Sequence, residues 1–126
     1  MQMRDFVVRF AGEGGQGVVT SAEGLAQSST QVGYHALTFA TFPSQILGGP
    51  TWTQARISVD PVLSAGDDVN VLVAFNRAAY DAHQQDVLKD GVVIFNSTEF
   101  EVEGDDRSFG LPFEELAKST GNNRAS

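Results

Sequence analysis

The chain has 126 residues and a mass of 13.5 kDa, the size of one ordinary domain, and its 41% hydrophobic and 19% charged residues exclude a disordered or fibrous polypeptide. Eight Lys and Arg against sixteen Asp and Glu leave a net charge of -8, which repels a nucleic-acid backbone, and no apolar run approaches the roughly 20 residues of a membrane span. Met1 to Asp5 lacks the apolar stretch of a secretory signal, so the cytoplasm is the expected compartment, and the absence of cysteine removes disulfides, thiol nucleophiles, thiolate zinc sites and any cysteine-held iron–sulfur cluster on this chain.

Strand and helix signals then alternate without an internal repeat. Phe6-Val7-Val8-Arg9-Phe10 is short, aromatic and β-branched and stops at a glycine-rich segment, as a buried first strand does. From Val18 the period changes, with Val18, Ala22, Leu25, Ala26 and Ser29 on one helical face and Gly33 where a terminator is expected. Tyr34 to Thr41 reads as a second strand, and Pro43 to Pro50 as a long loop with a Gly48-Gly49 pair. Trp52 to Val59 alternates, placing Trp52, Gln54, Arg56 and Ser58 on a polar side and Thr53, Ala55, Ile57 and Val59 on an apolar one.

After the turn at Asp67-Asp68, Val69 to Phe75 is nearly all apolar and is predicted as a central strand covered on both faces. Asn76 is placed to cap a helix whose Tyr80, His83, Val87 and Leu88 share a face, with Asp90-Gly91 closing it before a strand at Val92 to Phe95. Glu99 to Glu103 alternates weakly, and Pro112 to Lys118 has the proline, early acids and late lysine of a short helix. Residues 1–118 are expected to form the domain and 119–126 a linker or junction. The expected fold is a single three-layer α/β/α, Rossmann-like domain with a mostly parallel sheet of about five strands, in which Trp52 to Val59 is free to run antiparallel.

Gly12, Gly14 and Gly17 satisfy G-x-G-x-x-G between a strand and a helix, where glycine permits close backbone approach and the helix start exposes N–H groups to an anion. Gly15 and Gln16 lie inside this loop, and the Gln16 amide both donates and accepts. A dinucleotide reading also requires an acid at the end of the second strand, but Leu37 to Thr41 contains none, and Glu13 sets a negative charge where a pyrophosphate would sit. A glycine turn that only packs helix on strand explains the same residues.

The ordered set Phe10 to Val18, Phe42 to Trp52, Ala55-Arg56-Ile57-Ser58 and Asp68 to Asn76 resembles the gamma domain of the 2-oxoacid:ferredoxin oxidoreductases over nearly the full chain, with the 2-oxoglutarate type the nearest in look. In that type the domain often stands at the N-terminus of a longer alpha subunit. The resemblance implies an accessory role in an enzyme that converts a 2-oxoacid and coenzyme A into an acyl-CoA and carbon dioxide and passes electrons to ferredoxin. It further implies thiamine diphosphate held by alpha and beta partners, iron–sulfur clusters in other subunits or domains, and a gamma domain on the coenzyme A side of the active site. The family often has Arg before the Gly-Gly pair, whereas here the residue is Leu47, so any anion contact made by that Arg is absent.

The candidate binding residues are therefore Gly12, Gly14, Gly15, Gln16, Gly17, Gly48, Gly49, Arg56 and Asn76. Arg56 either reaches across an interface or pairs with a surface carboxylate, and Asn76 either meets a ligand at a strand's carboxyl end or simply caps a helix. Trp52 is read as packing and His35 and His83 as structural or surface residues. No nucleophile–base pair, paired carboxylates or metal-ligand spacing is present, so the chain alone is expected to be inert and metal-free. The rival readings are a free-standing dinucleotide-binding oxidoreductase module and a pure assembly module.

Overall fold

A computed structural model describes residues 5–13, 17–41, 50–60 and 68–115. In chain order its elements are β1 (Asp5–Glu13), α1 (Val18–Gln31), β2 (His35–Thr41), β3 (Pro50–Ser58), β4 (Val69–Ala74), α2 (Arg77–His83) running into a 3-10 turn at Gln84–Asp86, β5 (Val87–Asn96) and β6 (Ser108–Leu111). The strands form one sheet in the order β2-β3-β1-β4-β5-β6. β3 runs antiparallel to both neighbours, and the β1/β4, β4/β5 and β5/β6 pairs are parallel. The expected mostly parallel sheet is present, with β3 as its reversed strand.

β1 is buried without interruption from Val7 to Gly12, and its alternate side chains enter two different cores. Val8 and Phe10 pack with Val18 and Ala22 of α1, whereas Val7 and Ala11 join Ala79 and Tyr80 of α2 together with Leu72, Val93 and Phe95. One helix therefore lies on each face, which makes the three layers. The apolar run of β4 belongs to the same arrangement, since a parallel strand between two helices has no solvent side.

α1 buries Val18 and Ala22 and half-buries Leu25, Ala26 and Ser29, as the periodicity predicts. It stops at Gly33, whose φ of 102° lets the Gly33 and Tyr34 N–H groups donate back to the Thr30 and Ser29 carbonyls at 3.1 and 3.0 Å.

Three expectations are corrected. First, the second helix ends at His83, so Val87, Leu88 and Asp90-Gly91 lie in β5 instead. Val87 pairs with Val69 and Val92 with Val71, so β5 carries an irregularity opposite Asn70. Gly91 belongs to that irregularity and not to a helix end: a Cβ there would lie 2.6 Å from Val87 Cγ1 and 2.7 Å from the Asn70 carbonyl oxygen. Asn70 in turn accepts the Val7 backbone N–H at 2.8 Å through its side chain, which ties the irregular stretch to β1.

Second, a sixth strand, β6, lies at the sheet edge, where it is exposed and too short for an alternating pattern. Asp105 positions it, accepting from the Tyr80 hydroxyl (2.9 Å), the Ser108 hydroxyl (2.9 Å) and the Arg107 backbone N–H (3.0 Å). The Arg107 N–H is the largest of the influences that hold the Asp105 carboxyl below its ordinary range. Third, the polar side of β3 is not its solvent side, because Gln54 and Ser58 are as buried as Thr53 and Ala55. Residues 113–115 begin a helical turn, while the remainder of the segment to Lys118 and the junction 119–126 lie outside the described residues.

Two glycines give opposite expectations. Gly91→Ala forces a methyl against backbone and should cost about 1–3 kcal/mol. Gly24→Ala, inside α1 with open space around it, should stabilise by about 0.5–1 kcal/mol. Equilibrium urea unfolding of the two variants checks both signs.

Candidate functional site

β1 and β4 lie side by side and parallel, yet their crossovers part company. α1 leads from β1 to β2 on one side, and α2 leads from β4 to β5 on the other. Open α/β sheets hold ligands in the crevice at the carboxyl ends of strands where the order reverses in this way. The Phe75 N–H donates to the Ala11 carbonyl at 2.9 Å, carrying the pairing one step beyond β4. That step sets Gly12 beside Phe75, the residue before Asn76. On the other side Gly12 is in register with Thr51 and Glu13 with Pro50.

Gly17 closes the glycine loop and opens α1 with φ 87°, a left-handed conformation that disfavours side chains, and its carbonyl accepts the Ser21 N–H at 2.9 Å. Asn76 is the cap of α2: its Oδ1 accepts the Ala79 N–H at 2.8 Å. The fold thus brings Gly12, Gly17 and Asn76 to one end of the sheet. Gly14, Gly15, Gln16, Gly48 and Gly49 lie outside the described residues, although Gly49 directly precedes Pro50, the register partner of Glu13.

Arg56 is not at this end. It registers with Val7, six positions along β3 from Pro50, which is about 20 Å at strand rise. Its guanidinium grips Asp5 with Nε to Oδ1 at 2.9 Å and Nη2 to Oδ2 at 2.6 Å. These hydrogen bonds lower the Asp5 carboxyl from its ordinary range and raise the Arg56 guanidinium. An exposed pair of this kind contributes about 0–1 kcal/mol.

Arg9 belongs to no motif in the sequence. It is 8% exposed, and its donors are met by Gln54 Oε1 at 2.8 Å, His83 Nδ1 at 3.0 Å and Asp86 Oδ2 at 2.7 Å. The Trp52 ring lies 4.7 Å from the guanidinium carbon and meets His83 edge-on at 6.0 Å and Phe39 at 5.8 Å. Trp52 is packing, as expected, but it packs on a cation. Burial lowers the His83 pKa from its ordinary value of 6.5, Arg9 adds to the shift and Asp86 opposes it. The overlooked signal is a charged residue inside an otherwise apolar strand that is covered on both faces, because such a charge must be partnered. Among the described residues no group of three or more His, Asp or Glu is disposed to hold a metal ion, and no helix is long and apolar enough to cross a membrane.

Comparison with known proteins gives a consistent picture. The family model described as pyruvate ferredoxin/flavodoxin oxidoreductase matches residues 7–126. The chain is 34% identical to ketoisovalerate oxidoreductase subunit VorA of Methanothermobacter marburgensis, over 98% of this chain and 27% of that protein. It is 33% identical to 2-oxoglutarate oxidoreductase subunit KorA of Mycobacterium tuberculosis, over 79% of this chain and 16% of that protein. Among solved structures, 2-oxoglutarate:ferredoxin oxidoreductase from Magnetococcus marinus, with 2-oxoglutarate, coenzyme A and succinyl-CoA bound, superposes with a TM-score of 0.82 at 28% identity. That likeness covers 98% of this chain and 22% of the other. The chain thus spans about a quarter or less of the length of these relatives.

The site residues differ in how substitution should act on stability. Gly17→Ala forces a Cβ into a left-handed turn and should cost about 1–2 kcal/mol. Asn76→Ala should lose about 1 kcal/mol, while Asn76→Asp keeps the cap and should stay near wild type. Chemical denaturation midpoints test all three.

Proposed function

Because the chain belongs to the pyruvate ferredoxin/flavodoxin oxidoreductase family, we propose that it is the gamma domain of a cytoplasmic 2-oxoacid:ferredoxin oxidoreductase that acts on 2-oxoglutarate. In this reading the domain is inert alone. It offers the glycine loop (Gly12, Gly14, Gly15, Gln16, Gly17), the Gly48-Gly49 segment and Asn76 to the coenzyme A side of an active site completed by alpha and beta partners. The observation that carries the reading is the likeness, over 98% of this chain, to a 2-oxoglutarate enzyme solved with coenzyme A and succinyl-CoA bound.

The physical support is local. The carboxyl ends of β1 and β4 join the start of α1, whose first backbone N–H groups have no partner within the helix and no side-chain cap, to a side-chain amide, and such groups receive the phosphate and amide oxygens of a coenzyme. Thiamine diphosphate and iron–sulfur clusters belong to the partners in this assignment, and a cysteine-free chain fits that division. Arg56, committed to Asp5 at the other end of β3, acts here as a surface residue that either fastens the start of β1 or meets a partner.

The test is a complex reconstituted with this chain and supplied with 2-oxoglutarate, coenzyme A and ferredoxin. Gln16→Ala should cut acyl-CoA formation about tenfold, the equivalent of one to two lost hydrogen bonds, with assembly unchanged. Asn76→Asp should raise the KM for coenzyme A by a similar factor without loss of stability, since a carboxylate repels phosphate but still caps α2. Wild-type rates from both variants would leave only an assembly role. Turnover of pyruvate or ketoisovalerate in place of 2-oxoglutarate would overturn the substrate assignment.

A further inference from the structure

Arg9 and His83 are joined by a contact whose direction is fixed by chemistry. A guanidinium has hydrogen-bond donors and no acceptor. With Arg9 Nη1 3.0 Å from His83 Nδ1, that ring nitrogen must present its lone pair, and the ring carries its hydrogen on Nε2. The contact spans 74 positions in the sequence and joins the carboxyl end of α2 to the middle of β1.

We infer that this contact is a pH-sensitive latch: neutral His83 fastens the turn between α2 and β5 to the β1/β3 pair, and proton uptake by the ring unfastens it. A proton on Nδ1 removes the acceptor and sets two cations 3.0 Å apart in a half-buried place.

Facing His83, β1 contributes Arg9, which opposes the imidazolium, and β3 contributes the uncharged Trp52, while the uncharged Gln54 accepts from Arg9. The 3-10 turn contributes Asp86, which favours the imidazolium but already accepts from Arg9 Nη1 at 2.7 Å. The carboxyl end of α2 also favours a cation, weakly in so short a helix. Asp81 and Arg77 pair with each other on the exposed side of α2. Burial is the largest influence, and together with Arg9 it outweighs Asp86.

The sign follows from linkage. A histidine that binds its proton less readily in the folded chain contributes its full stability above the ordinary value of 6.5, and that contribution is lost as pH falls from 6.5 toward the folded value.

Trp52 is the only tryptophan of the 126 residues and touches both members of the latch, so its emission reports on it directly. Titrating the chain from about pH 8 to about pH 5 should shift the tryptophan emission to the red with a midpoint below 6.5. In His83→Gln, whose amide oxygen still accepts from Arg9, the shift should vanish. In His35→Gln it should persist, because His35 registers with Ser58, four positions along β3 from Gln54. An unchanged emission in the wild type, or the same shift in His83→Gln, overturns the latch. The ring-nitrogen chemical shifts of His83 in the unsubstituted chain at neutral pH decide independently of any variant: hydrogen on Nε2 supports it, and hydrogen on Nδ1 overturns it.

Discussion

The structure depends on the double enclosure of β1. The strand is paired along both edges, antiparallel to β3 and parallel to β4, and is covered on both faces by α1 and α2. A strand so placed must have every polar group satisfied from within. Arg9 meets this demand through Gln54, His83 and Asp86, and the Val7 N–H, which has no ladder partner in β4, meets it through the Asn70 side chain. These are not ornaments on a core that would form without them. Removing one acceptor leaves a buried donor unmet, which costs more than a hydrogen bond contributes.

The same enclosure creates the crevice. Since the crossovers that leave β1 and β4 run to opposite sides, α1 to β2 and α2 to β5, the chain parts where β1 and β4 end, and the two helix starts, with Gly17 at one and Asn76 at the other, stand at that gap. Each is explained locally by its helix, one through a left-handed turn and the other through a cap. The proposed function gives this gap a use, and the similar 2-oxoglutarate:ferredoxin oxidoreductase from Magnetococcus marinus was solved with 2-oxoglutarate, coenzyme A and succinyl-CoA bound. The Arg9 cluster lies on the α2 face, with Arg9 three positions before Gly12 along β1, and serves the turn into β5.

Much of the fold is legible in the residues, for definite reasons. Phe6 to Phe10 and Val69 to Phe75 announce themselves because a strand between two layers tolerates few polar residues, and α1 because its buried positions recur at helical spacing. Gly33 and Asn76 are readable because chain termination and capping are local chemistry. The end of α2 is not readable. Tyr80, His83 and Val87 continue a helical spacing, but Val87 is claimed by Val69 across the sheet and Gly91 by the tight approach of Asn70, and both are non-local pairings. β6 is hidden for the same reason, its place being set by Asp105, which reaches back to Tyr80 on another element.

From residues alone came the layered α/β class, the order of its elements as far as β5, the glycine loop between strand and helix, and a family resemblance carried by motifs in sequence order. These follow from side-chain period, backbone freedom and composition, which act over a few neighbouring positions. Only the folded chain decided that Arg56 stands far from Gly12 while Asn76 stands at the same end of the sheet as Gly12, that Gln54 is inside, and that Arg9 and His83 meet across 74 positions. Such facts depend on register and on which strands are neighbours, and a one-residue slip of β1 or β3 would turn Arg9, Gln54 and Arg56 to the opposite face.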